Sequence, residues 1–167
     1  MIKKFIIYLS LTIFLSCSSY KNSYHKNLNC FKNLVEEINI TFMDSSLENF
    51  DISDYLTEDF IFHSYPAGHK KGIAVNKLDY IANLNKMKGM NIIMNIGHSI
   101  YLPGLDEKSY KLDGSVRVYY GANISVDKNH VEFSGYQTVN FKEGKISEVW
   151  EWADYGGVQN QLNKFIQ

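Results

Sequence analysis

Apolar residues recur along this chain with two periods, and the change from one to the other separates a helical first half from a stranded second half. Leu28, Phe31, Val35, Ile38 and Phe42 follow one another at steps of 3, 4, 3 and 4. That spacing is one face of an amphipathic helix, with Lys32, Glu36, Glu37 and Asn39 on its wet side. Asp44-Ser45-Ser46 interrupts it, and a second short helix is predicted over 47–56, turning Leu47, Phe50 and Tyr55 to the core. After Thr57-Glu58-Asp59, the run Phe60-Ile61-Phe62-His63 is aromatic and β-branched and reads as a strand. Beyond the breakers Pro66, Gly68 and Gly72, a third helix is predicted over 73–87 with Val75, Leu78, Ile81 and Leu84 as its apolar residues, closed by Gly89.

The rest of the chain alternates with period two. Residues 91–101, 114–126, 131–141 and 145–155 are long β-type stretches, punctuated by Pro103-Gly104, Asp127-Lys128-Asn129 and Glu143-Gly144. Glu143-Gly144 between two strands predicts a tight hairpin, because glycine supplies the positive φ that the turn requires. A last helix begins near Gly156 and carries Val158, Leu162 and Phe165. Helices followed by consecutive antiparallel strands indicate an α+β fold, and 167 residues suit one domain.

The first residues follow neither period. Lys3 and Lys4 precede an apolar run from Phe5 to Leu15, which is shorter than the roughly 20 residues a membrane-spanning helix needs and fits a secretory leader. The run ends in Phe14-Leu15-Ser16-Cys17, which resembles the cleavage box of bacterial lipoproteins, with Phe14 where leucine is usual. The resemblance implies a signal peptide over 1–16, a lipidated Cys17 that holds the chain to a membrane of the bacterial cell envelope, and a location outside the cytoplasm. Residues 17–27 are polar and aperiodic and read as a tether; about ten extended residues reach roughly 35 Å. Cys30 is then the remaining thiol and is expected to pack as a small apolar side chain.

Composition narrows the chemistry mainly by exclusion. Lys+Arg is 17 against Asp+Glu 18, so no basic excess exists to neutralise phosphates and no nucleic-acid partner is expected. The two cysteines form no disulfide framework, and no CxxC, HExxH or glycine-rich phosphate loop is present, so neither metal nor cofactor is expected. Removing Lys3 and Lys4 with the leader makes the remainder mildly acidic.

Two stretches then stand out. One runs from Tyr55 through Leu56-Thr57-Glu58-Asp59-Phe60-Ile61-Phe62-His63 to Gly72-Ile73-Ala74; the other is Gly144-Lys145-Ile146-Ser147-Glu148-Val149-Trp150-Glu151-Trp152-Ala153-Asp154, leading to Gln159 and Leu162. Together with the element order over about 28–166, they resemble the nuclear transport factor 2-like superfamily, most closely its SnoaL-like branch. The resemblance implies a domain over 28–167 in which a bent antiparallel sheet wraps the helices as a cone, with a pocket at the wide end. The superfamily contains isomerases, dehydratases, epoxide hydrolases and cyclases alongside members without known activity, so it implies architecture more than chemistry. Many relatives form homodimers.

Strand alternation places Ile146, Glu148, Trp150, Trp152 and Asp154 on one face. Lining the inside of a cone, that row offers two indole walls for a cyclic ligand and two carboxylates able to move protons. In cyclase-like relatives an acid at the position of Asp154 is the catalytic base; alternatively, Asp154 caps the last helix. In SnoaL-like members a histidine at the position of His63 faces the pocket, where it can form an acid–base couple with Asp154; the other reading is a hydrogen-bonded core residue. Tyr119 and Tyr136 can donate phenol hydrogen bonds to a ligand, and Tyr65 belongs at the pocket rim. Arg117, the single arginine, shares a face with Tyr119: turned inward it pairs with Glu148 or binds an anion, and turned outward it is solvated or lies in a dimer interface.

The leading expectation is a membrane-anchored domain that binds a small apolar or aromatic ligand in a cone pocket without catalysis. The alternatives are a cofactor-independent isomerase, dehydratase or cyclase using Asp154 and His63, and a dimeric scaffold whose cone is packed shut.

Overall fold

A computed structural model of the chain describes the backbone of residues 2–66 and 68–164, and side chains from residue 23 onward. The side chains of the leader and of Cys17, and Phe165 altogether, lie outside the described residues. Helix α1 (Ile2–Met43) opens the chain. It runs through the segment expected to be a tether: Tyr24 packs against the core, and Asn27 Nδ2 donates to the carbonyl of Gly114 at 2.9 Å. Among the described residues no helix is long and apolar enough to cross a membrane. The buried stripe of α1 is Phe31, Leu34, Ile38 and Phe42, with Val35 partly buried beside it.

Residues 47–56 do not form the expected helix. They run irregularly into a 3-10 turn, Ser53–Tyr55, which drops Phe50 and Ile52 into the core and leaves Leu47 exposed. Strand β1 (Leu56–Ser64) follows, then β2 (Ile73–Asn76) and α2 (Lys77–Gly89). The helix expected from residue 73 thus starts four residues later. Ile73–Asn76 pairs antiparallel with β1, and the Asn76 side chain accepts from the amide of Asp79, the cap that sets the helix start. Gly72 makes this turn possible: its φ is +73°, and a Cβ there would lie 2.9 Å from the carbonyl oxygen of Ser64.

The second half is a meander of long strands, β3 (Ile92–Leu105), β4 (Leu112–Val126), β5 (Asn129–Lys142) and β6 (Lys145–Ala153), closed by α3 (Tyr155–Asn163). β3 runs on through Pro103-Gly104, where a break was expected. Glu143 and Gly144 both take positive φ, 55° and 81°, so the last hairpin turns in two residues. The sheet order is β2-β1-β6-β5-β4-β3. Since β1 runs parallel to β6, the curled sheet is mixed and not wholly antiparallel. α1 packs across the inner face on Val116, Val118, Tyr120, Val139, Ile146 and Val149, and the result is an α+β cone.

Candidate functional site

A bulge in β6 decides which residues can meet a ligand. Asn140 pairs with Glu148 but Phe141 pairs with Ile146, so Ser147 is an extra residue and the alternation changes phase there. Ile146, Val149 and Glu151 are buried against the core, while Glu148, Trp150 and Trp152 point to the opposite face of the sheet. The row expected inside the cone therefore lines its outside, and Ile146 does not belong to it.

On that outer face the pairings bring the expected residues together. Arg117 pairs with Thr138, Thr138 with Trp150 and Trp150 with His63, forming one row across four strands. The next row runs Tyr119–Tyr136–Trp152. Tyr65 stacks on Trp152 with ring centroids 4.8 Å apart and planes 6° apart, and Tyr136 leans on the same indole at 5.8 Å. Tyr119 contacts Tyr136 at 4.8 Å and is itself exposed. These contacts hold the aromatic wall as one unit.

His63 meets an acid, but it is Glu148 and not Asp154. His63 Nε2 lies 2.9 Å from Glu148 Oε1, and Asn140 Nδ2 donates to Glu148 Oε2 at 3.0 Å. The imidazole packs 5.0 Å from the Trp150 ring, so this couple borders the aromatic wall. Asp154 is exposed and accepts from the amide of Gly157 at 2.8 Å, which makes it the N-cap of α3. Sequence alternation extended the row past the end of β6, where the chain turns into the helix.

Beneath the sheet, the void between Phe31, Val35, Val118 and Tyr120 measures about 10 Å³, no more than one water can occupy. Beside it lies a cluster that sequence reasoning missed. The buried Glu151 accepts from Tyr120 Oη at 2.6 Å, from Gln137 Nε2 at 2.6 Å and from Tyr155 Oη at 2.8 Å. Loss of hydration, then the nearby Glu151 charge, pushes the Tyr120 phenol far above its ordinary range, and the same causes raise Tyr80 and Tyr155. Gly135 faces Tyr120 across the strand pair, and a Cβ there would lie 2.5 Å from the phenol. The signal for this cluster was present in the period-two spacing of Val149 and Glu151 opposite the indoles.

A wider concavity lies outside the cone. A groove of about 490 Å³ runs between the β3–β4 hairpin (Leu105 to Asp113) and the outer faces of β4, β5 and β6, with Arg117, Thr138, Trp150 and Trp152 on its floor. Arg117 forms no hydrogen bond or ion pair with any described residue, and its Nη1 and the Nε1 of Trp150 are both buried without a partner. Among the described residues no group of three or more His, Cys, Asp or Glu stands together as a metal site. Cys30 is free and half-buried on α1, where burial raises its thiol pKa.

No family model and no curated protein matches this sequence. Solved structures do share its fold. AusH from Aspergillus nidulans superposes with a TM-score of 0.56 at 15% identity, covering 78% of this chain and 84% of that one. An NTF2-like protein from Anabaena variabilis gives 0.55 at 16%, covering 77% and 89%. A protein from Jannaschia described as a SnoaL-like polyketide cyclase gives 0.54 at 13%, covering 81% and 90%. The chain thus shares the α+β cone fold of these structures.

Proposed function

We propose that this chain is a bacterial cell-envelope protein, held to a membrane by lipid on Cys17, whose domain binds a small planar organic ligand on the outer aromatic face of its sheet without transforming it. The carrying observation is the groove of about 490 Å³ floored by two indoles, set against an interior void of about 10 Å³. Its volume falls within the range of small-molecule sites, and an aromatic floor is what a planar ligand stacks on. Trp152 remains 41% exposed, so part of its indole is open to a ligand beside the Tyr65 that stacks on it.

Titration of the full chain in detergent with naphthalene-1-carboxamide, followed by tryptophan fluorescence, tests the binding. Saturable quenching that Trp152→Ala weakens about tenfold is expected; no quenching, or quenching indifferent to Trp152→Ala, overturns it. Cys17→Ser is expected to move the chain from the membrane fraction to the soluble fraction.

Two other readings each have an observation in their favour. The His63–Glu148 couple beside the wall suits proton transfer in an isomerase, dehydratase or cyclase. Turnover of a cyclic ketone that is lost in Glu148→Gln would establish that reading. A homodimer through β3 and β4 is favoured by the exposed Ile100, Leu102 and Tyr119, and light scattering measures it directly.

A further inference from the structure

We infer that the ligand of this groove is an aromatic carboxylate, its oxygens held by Arg117 and Trp150 and its ring laid along Trp152; the inference rests on the binding reading above. Arg117 is the sole arginine of the chain, and it forms no ion pair with a described residue. A guanidinium is always protonated and offers donors in a planar fork whose natural match is a carboxylate. Its Nη1 is shut from water without an acceptor, and so is Trp150 Nε1. The two donors belong to one row with only Thr138 between them, which sets their backbones roughly 10 Å apart at the usual strand spacing. Two unanswered donors on residues that line one groove call for an anionic acceptor, and the indoles beside them call for a ring.

Of the acids around the groove, Asp106, Asp113 and Glu148 already accept hydrogen bonds. Asp106 Oδ1 accepts from the amides of Lys108 and Ser109, and Asp113 Oδ1 accepts from the amide and hydroxyl of Ser115. Glu148, in the neighbouring row, is bound by His63 and Asn140. Glu107 and Lys108 lie on the hairpin rim, where Lys108 adds a second cation for an incoming anion. The floor therefore presents donors, while the nearby negative charge sits at the rim or is already hydrogen-bonded.

Calorimetric titration of the full chain in detergent compares naphthalene-1-carboxylate with its neutral isostere naphthalene-1-carboxamide. The carboxylate is expected to bind about tenfold more tightly, by the added strength of charge-assisted hydrogen bonds. Arg117→Gln is expected to abolish that preference by weakening the carboxylate alone, and Trp150→Phe to weaken it several-fold while keeping the ring wall. Equal affinity for the two probes in the unaltered chain overturns the carboxylate inference and leaves the binding reading intact. Failure of both probes to bind overturns both, and a dimer in light scattering under those conditions assigns the face to a second copy.

Discussion

The hydroxyl of Tyr120 donates to Glu151 at 2.6 Å within the core, whereas Glu148, three residues earlier on the same strand, holds the imidazole of His63 on the opposite face. An odd separation along a strand places two side chains on opposite sides, so two acids of similar sequence context receive different environments. Glu151 serves the core and Glu148 borders the groove.

Removing the Glu151 carboxylate leaves three donors facing one another in the core. Glu151→Ala is expected to lower unfolding free energy by about 3 kcal/mol, the scale for stranding buried hydrogen-bonding groups. Glu151→Gln keeps an acceptor oxygen and should cost about half as much. Urea unfolding with an unchanged slope checks both, and equal stability of all three proteins would contradict the cluster's role.

The raised phenols make the fold sensitive to alkali. Tyr80 and Tyr120 hold their protons in the folded state beyond the pH at which an unfolded chain releases them. The unfolded state then binds fewer protons, so stability is fully present below about pH 10 and falls above it. Each of the two contributes a slope of about 1.4 kcal/mol per pH unit while the unfolded phenol is ionised and the folded one is not. Ultraviolet titration should show these two tyrosines ionising only as the chain unfolds.

Asn39 is expected to clamp α1 to β3. Its Oδ1 accepts from the amide of Ile96 and its Nδ2 donates to the carbonyl of Ile96, both at 2.8 Å, beside the irregularity between Ile96 and Ser99. The side chain acts as a missing strand partner. Asn39→Ala should cost about 2 kcal/mol, with faster hydrogen exchange at the Ile96 amide as the local reporter.

Asp154 should behave as a cap and not as a base. Asp154→Ala is expected to cost about 1 kcal/mol and to fray α3, with no change in ligand affinity at the groove. Circular dichroism and the naphthalene titration together check this. A loss of binding without a loss of stability would return Asp154 to the site.

Much of the architecture was legible because long periodic runs state their own faces. The α1 helix, the Glu143-Gly144 turn, and the buried Val158 and Leu162 of α3 stand where the pattern predicts, as do the four meander strands except that β3 runs on through Pro103-Gly104. The errors fell in short segments with mixed signals. Residues 47–56 carry helix-compatible apolar spacing but too few residues to nucleate a helix against a core that takes Phe50 and Ile52 from an irregular chain. Ile73–Val75 is β-branched enough to complete the sheet edge, and pairing with β1 wins over helix extension.

By itself the sequence determined the chemistry gathered on one strand: two indoles, Trp150 and Trp152, interleaved with the acids Glu148 and Glu151. It could not determine the side of the sheet on which they stand. One extra residue at Ser147 reverses the facing of the segment before it relative to the segment after it, and no local preference announces a bulge. Nor could it tell that α1, Tyr120 and Glu151 would fill the cone. Closure of an interior depends on side chains from many distant segments meeting at close-packed density, and those meetings exist only once the chain has folded.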